Sequence, residues 1–149
     1  LKLLITLLLL TISTPVYAGD DTKLPDVASY ITVITNVTFD TIKSIRSDNR
    51  KDAFTMQGLR LGATIASSEV IKLIVHKMRP DGSDNKSFWS EHSAIAATSQ
   101  GWNFYVGGSL TFATMAGRVE AKRHFPLDVT VGAGVGTLFE RLFHSKSPH

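Results

Sequence analysis

The chain has 149 residues, of which 43% are hydrophobic and 19% charged, with a net charge of +3 and a pI near 9.3. That length suits one domain, and that composition excludes wholesale disorder. Cysteine is absent, which excludes disulfides, thiolate metal sites and a cysteine nucleophile. There is no block of Lys and Arg of the kind that tracks a nucleic-acid backbone.

Lys2 precedes an uncharged apolar run, Leu3 to Ile12, and then Ser13-Thr14-Pro15-Val16-Tyr17-Ala18. Val16 and Ala18 stand where a small-residue cleavage site needs them, so residues 1–18 read as a secretory signal peptide, cleaved before Gly19 or retained as an anchor. A first helix is expected from Asp26 to about Ile45, with Val27, Ile31, Ile34 and Thr38 on one side. A second should run from Asp52 to about Met78. In it Leu59, Ala63, Ala66, Val70, Leu73 and Ile74 recur at helical spacing, while Arg60, Glu69 and Lys72 argue against a lipid-facing span. Arg79-Pro80-Asp81-Gly82-Ser83-Asp84-Asn85 has the chemistry of a loop.

A third helix is expected from Ser90 to about Ser99, a break at Gln100–Asn103, and a fourth helix from Phe104 to about Ala116. No charged residue occurs from Ser93 to Gly117. The Gly101 break and the many Ser and Thr residues favour two buried helices there, with shallow membrane contact left open. The last helix should cover Asp128 to Phe143. Gly132, Gly134 and Gly136 imitate a nucleotide loop, but no strand precedes them, so they read as small residues for close helix packing. Asn36-Val37-Thr38 fits the short glycosylation pattern, and His76, His144 and His149 show no partners. The expected architecture is an all-α bundle of about five helices in one domain, residues 19–149.

Three islands carry chemistry. Lys72 and Arg79 are seven residues apart, which on a continuous helix puts two cations on one face. Ser90 is a good N-cap, with Glu91 and His92 in the first turn, where free N–H groups attract anions. Arg118 is followed by His124 and, four residues later, Asp128. If helical geometry holds across Pro126, the carboxylate meets the imidazole and fixes its tautomer. Taken singly, these read equally as a solvated basic face, an ordinary cap and a structural His–Asp pair.

Together, in this order, they resemble the signature of the type 2 phosphatidic acid phosphatase and haloperoxidase superfamily. Lys72 and Arg79-Pro80 match its Lys, six residues, Arg-Pro element. Trp89-Ser90-Glu91-His92 stands where the family has Pro-Ser-Gly-His. Gly117-Arg118, His124 and Asp128 match Ser-Arg, five residues, His, three residues, Asp. The resemblance covers roughly Asp52 to Phe143. It implies a helical phosphatase fold of the acid phosphatase and haloperoxidase kind, with His124 as nucleophile, Asp128 orienting it and His92 as general acid. Lys72, Arg79, Ser90, the residue 91 amide and Arg118 would bind phosphate, without metal or cofactor.

Three positions depart from the pattern: Trp89 for Pro, Glu91 for Gly and Gly117 for Ser. A Glu91 carboxylate aimed at phosphate repels it, whereas one aimed outward only favours the helix dipole. The expected function is an exported phosphomonoesterase acting on lipid phosphates or soluble esters, periplasmic or secreted, with peripheral membrane contact possible and no nucleic-acid partner. A non-catalytic phosphate-binding homologue is the second reading, and a vanadium haloperoxidase the third.

Overall fold

A computed structural model describes residues 22–144, and the segment expected as a signal peptide, like His149, lies outside them. The described residues form five α-helices and no strand. These are α1 (Lys23–Arg46), α2 (Arg50–Ile74), α3 (Glu91–Thr98), α4 (Phe104–Glu120) and α5 (Pro126–Leu142), with a single 3-10 turn at Gln100–Trp102. The all-α expectation holds. Asn49 starts α2 by accepting the Asp52 amide, Asn103 starts α4 by accepting those of Tyr105 and Val106, and Pro126 opens α5 where its missing N–H costs nothing.

The helix α2 stops at Ile74 rather than Met78. Residues beyond it are extended, and Lys77 bridges to Lys86, with the Ser87 amide donating to the Lys77 carbonyl at 2.9 Å. Gly82, at φ 71°, turns the intervening loop, a conformation suited to glycine. Lys72 and Arg79 therefore do not share a helix face.

The short α3 lies at the centre and touches all four other helices. These contact one another in the order α1, α2, α5, α4 and back to α1, a ring around α3. Ala94, Ala96 and Ala97 of α3 are fully buried. Such small residues let the ring close tightly. Gly132 and Gly136 of α5 face the Ser90 and Ala94 carbonyls so closely that any Cβ would collide with them, whereas Gly134 faces open space. The packing role expected of these glycines thus holds for two of the three.

Burial runs opposite to the apolar stripe expected in α2. Leu73 is 76% and Ile74 68% exposed, with Leu59 and Val70 also outside, while Gln57, Arg60, Thr64 and Ser68 are buried. Asn36 is also fully buried. Its amide donates to the Ala96 and Gly107 carbonyls and its oxygen accepts the Trp102 indole N–H, which removes it as a glycosylation site. Among the described residues, no helix is long and apolar enough to cross a membrane.

Candidate active site

The ring order brings one end of each helix together: the starts of α1, α3 and α5 and the ends of α2 and α4. There a cleft of about 320 Å³ is lined by Lys72, Arg79, Glu91, His92, Arg118 and His124, together with Asp26, Tyr30, Asp84, Lys86 and Arg123. Six of the eight residues expected at the site thus meet in one cleft.

The other two, Asp128 and Ser90, are fully buried beneath it. Ser90 caps α3 by accepting the Ser93 amide and hydroxyl, so its own oxygen serves the helix rather than the cleft. The Asp128 carbonyl accepts the Ser90 amide at 3.1 Å, and the absence of a side chain at Gly132 permits this approach of α5 to α3.

The expected direct bond between His124 and Asp128 is replaced by a bridge. His124 precedes α5, and its Nδ1 lies 2.6 Å from the Ser87 carbonyl oxygen. A carbonyl only accepts, so Nδ1 carries the proton and Nε2 the lone pair. Asp128 accepts the Ser87 hydroxyl at 2.5 Å, Lys77 Nζ at 2.5 Å and the Phe125 amide at 3.1 Å. The carboxylate therefore fixes Ser87, and Ser87 fixes the imidazole. Lys77 Nζ is held over the Phe125 ring, 4.7 Å from its centre, which steadies this ion pair at the cleft floor.

Burial pushes the His124 pKa down from 6.5 to about 4; its bond to Ser87 opposes the shift, and nearby Arg118 and Arg79 add to it. His92 is lowered well below 6.5, first by burial and then by Arg118, His124, Lys72 and Arg79. Both rings are therefore neutral at pH 7 when the cleft holds no anion. His92 is kept in place by edge-on contact with the Tyr30 ring at 4.5 Å.

Every cation expected to grip phosphate has a carboxylate partner. Lys72 donates to Glu69 at 2.8 Å and to Glu91 at 2.5 Å. Arg79 pairs with Asp84 at 2.6 Å, and Arg118 pairs with Asp26. Glu91 thus turns neither freely outward nor unpaired into the cleft, because it is clamped to Lys72. The lining still holds five cationic side chains against three carboxylates. Arg118 is nearly fully buried, and its Nε has no acceptor among the described residues. Gly117 lies under α1, where a Cβ would stand 2.7 Å from the Pro25 carbonyl oxygen, so this contact has no room for serine.

Asp26, Tyr30, Lys77, Asp84, Ser87, Lys86 and Arg123 were not expected at the site. Asp26 was expected only as the start of the first helix, and its pairing with Arg118 and Arg123 spans most of the chain. No local spacing signals it. His144, expected to lack a partner, donates from Nδ1 to the Glu140 carboxylate at 3.0 Å, away from the cleft.

No family model, curated protein or solved structure matches this chain.

Proposed function

We propose that this chain is a phosphoric monoester hydrolase of the type 2 phosphatidic acid phosphatase and haloperoxidase superfamily, exported by its first 18 residues. The observation that carries the proposal is His124, held by the Ser87 carbonyl as the tautomer with a free Nε2, in a cleft with Lys72, Arg79 and Arg118. A neutral imidazole beside three cations suits attack on a phosphate ester.

The reaction follows from these positions. The ester phosphate displaces Glu91 and Asp84 from Lys72 and Arg79 and gains Arg118. Nε2 of His124 attacks phosphorus as the ester P–O bond breaks. His92, whose pKa a bound dianion raises, passes its proton to the leaving alkoxide. Asp128, through Ser87 and by its charge, stabilises the cationic phosphohistidine. Water then attacks phosphorus and gives a proton to His92 as the P–N bond breaks, its electron pair returning to Nε2, which releases phosphate and neutral His124.

The carboxylate partners support a second reading, a phosphate-binding homologue without turnover. Phosphate release from p-nitrophenyl phosphate and from phosphatidic acid, without added metal, separates the two. Turnover lost in His124→Ala supports the hydrolase. A silent native protein that gains turnover in Glu91→Gly supports the second reading.

A further inference from the structure

The polar interior and apolar exterior form one pattern across the whole bundle. In α1 the buried stripe is Ser29, Val33, Asn36, Asp40 and Ser44; in α4 it is Gly107, Thr111, Thr114 and Gly117. These stripes recur every three to four residues, as in any packed helix, yet their members are small or hydrogen-bonding. Thr32 and Thr114 join α1 to α4 at 2.7 Å, and Gln57 joins α2 to Thr41 at 3.0 Å. Bundles in water bury their large apolar side chains instead. Helices packed in lipid use small residues and interhelical hydrogen bonds, because lipid is as apolar as leucine and does not drive leucine inward.

The exposed apolar residues occur on every outer helix, for example Ile31 on α1, Phe54 and Ile65 on α2, Phe112 on α4 and Leu138 on α5. Since those four helices encircle α3, the apolar surface encircles the molecule. A second copy docks on one face, whereas a surrounding lipid layer covers all four. Charge is arranged in the same sense. Residues 27–39, 104–117 and 129–139 hold no charged side chain, and residues 53–68 hold only Arg60, which is buried and paired with Asp40 at 2.5 Å. Basic residues gather past the belt, at Lys43, Arg46, Arg50 and Lys51 on one end and around the cleft on the other.

We infer that this belt sits in the apolar layer of a lipid bilayer, with the cleft end at the headgroup level. The stretch of α2 without an exposed charge, residues 53–68, is about 24 Å long at 1.5 Å per residue. That is less than the roughly 30 Å of a typical hydrocarbon core, so the bilayer thins around it or the flanking lysines and arginines reach outward. Mean hydropathy along each helix stays low because it averages the polar inner face with the apolar outer one. Arg60, Glu69 and Lys72 do not oppose lipid contact: the first is internal, and the others lie beyond the belt at the cleft end.

Single spin labels test this directly, since the chain has no cysteine of its own. The full chain is reconstituted in vesicles of phosphatidylcholine and phosphatidylglycerol, with Ile31→Cys, Ile65→Cys, Phe112→Cys or Leu138→Cys labelled in turn. Ser68→Cys serves as the buried control. The expected result is relaxation by oxygen and loss of relaxation by a water-soluble nickel chelate at all four outer sites, with neither reagent reaching Ser68→Cys. Relaxation by the nickel chelate at the outer sites places them in water and overturns the inference. Protection from both reagents at one or more outer sites overturns it too, and points to a second copy or another segment of this chain as the cover. Neither outcome depends on phosphatase activity.

Discussion

The Ser87 carbonyl oxygen and His124 Nδ1, 2.6 Å apart, define which imidazole nitrogen is available for chemistry. Asp128 makes no direct hydrogen bond to that ring and acts on it through Ser87, whose hydroxyl it holds at 2.5 Å, and by its charge. Removing the carboxylate releases both Ser87 and Lys77 while leaving the nucleophile. Asp128→Ala is therefore expected to lower kcat by about 100-fold or more, short of the complete loss in His124→Ala. Nitrogen NMR of His124 checks the cause: the native ring shows one tautomer, protonated at Nδ1, and the variant shows a mixture.

Glu91 and Glu69 hold Lys72 before substrate arrives, so phosphate must displace at least one of them. Glu91→Gln keeps the shape and removes the charge. Inorganic phosphate is expected to inhibit this variant several-fold more tightly, where tenfold corresponds to about 1.4 kcal/mol. An inhibition constant unchanged from native means that the Lys72–Glu91 pair does not compete with the ligand.

The two histidines predict an acidic optimum. The His124 pKa of about 4 sets an acid limb, because protonation removes the nucleophile's lone pair. His92 must carry a proton, and in the free protein its pKa is well below 6.5, so kcat/KM falls as pH rises toward neutrality. A bound dianion raises His92, moving the basic limb of kcat above that of kcat/KM. The same shifts act on stability. Both rings are neutral in the folded chain above pH 6.5, and the stability this gives is lost as pH falls from 6.5 through the lowered folded values.

The α5 glycines separate packing from propensity. Gly136→Val drives side-chain atoms into the Ala94 carbonyl and is expected to cost about 3 kcal/mol. Gly134→Ala meets open space within a helix and is expected to stabilise by about 0.5–1 kcal/mol. Thermal unfolding midpoints in one solvent compare the two.

Much of this was legible in the sequence, because helical period and turn chemistry are local. The breaks between Ile45 and Asp52, at Arg79–Asn85 and at Gln100–Asn103, and the five helices, follow from them, although the second break begins earlier, after Ile74. Which face of a helix lies inside is not local. In α2 the stripe through Leu59 and Val70 has the same period as the one through Gln57, Arg60, Thr64 and Ser68, and period alone does not choose between them. The assumption that apolar means buried chose wrongly. The resemblance of the three islands to a family signature, rather than any one spacing, singled out Lys72, Arg79, Glu91, His92, Arg118 and His124, the six expected residues that line the cleft. The link between His124 and Asp128 did not follow from their separation of four, because the chain is extended at Phe125 and Ser87 comes between them. Asp26 was invisible as a partner of Arg118, since only the closed ring brings α1 beside the end of α4.

Trapping the phosphohistidine tests the central proposal most directly. The native chain is mixed with a phosphate ester labelled with radioactive phosphorus, quenched within milliseconds in alkaline denaturant, and digested. Label is expected on the peptide containing His124, stable to alkali, lost in acid and absent from His124→Ala. Phosphate release with no label on that peptide, or turnover that persists in His124→Ala, would contradict the assignment of His124 as the nucleophile.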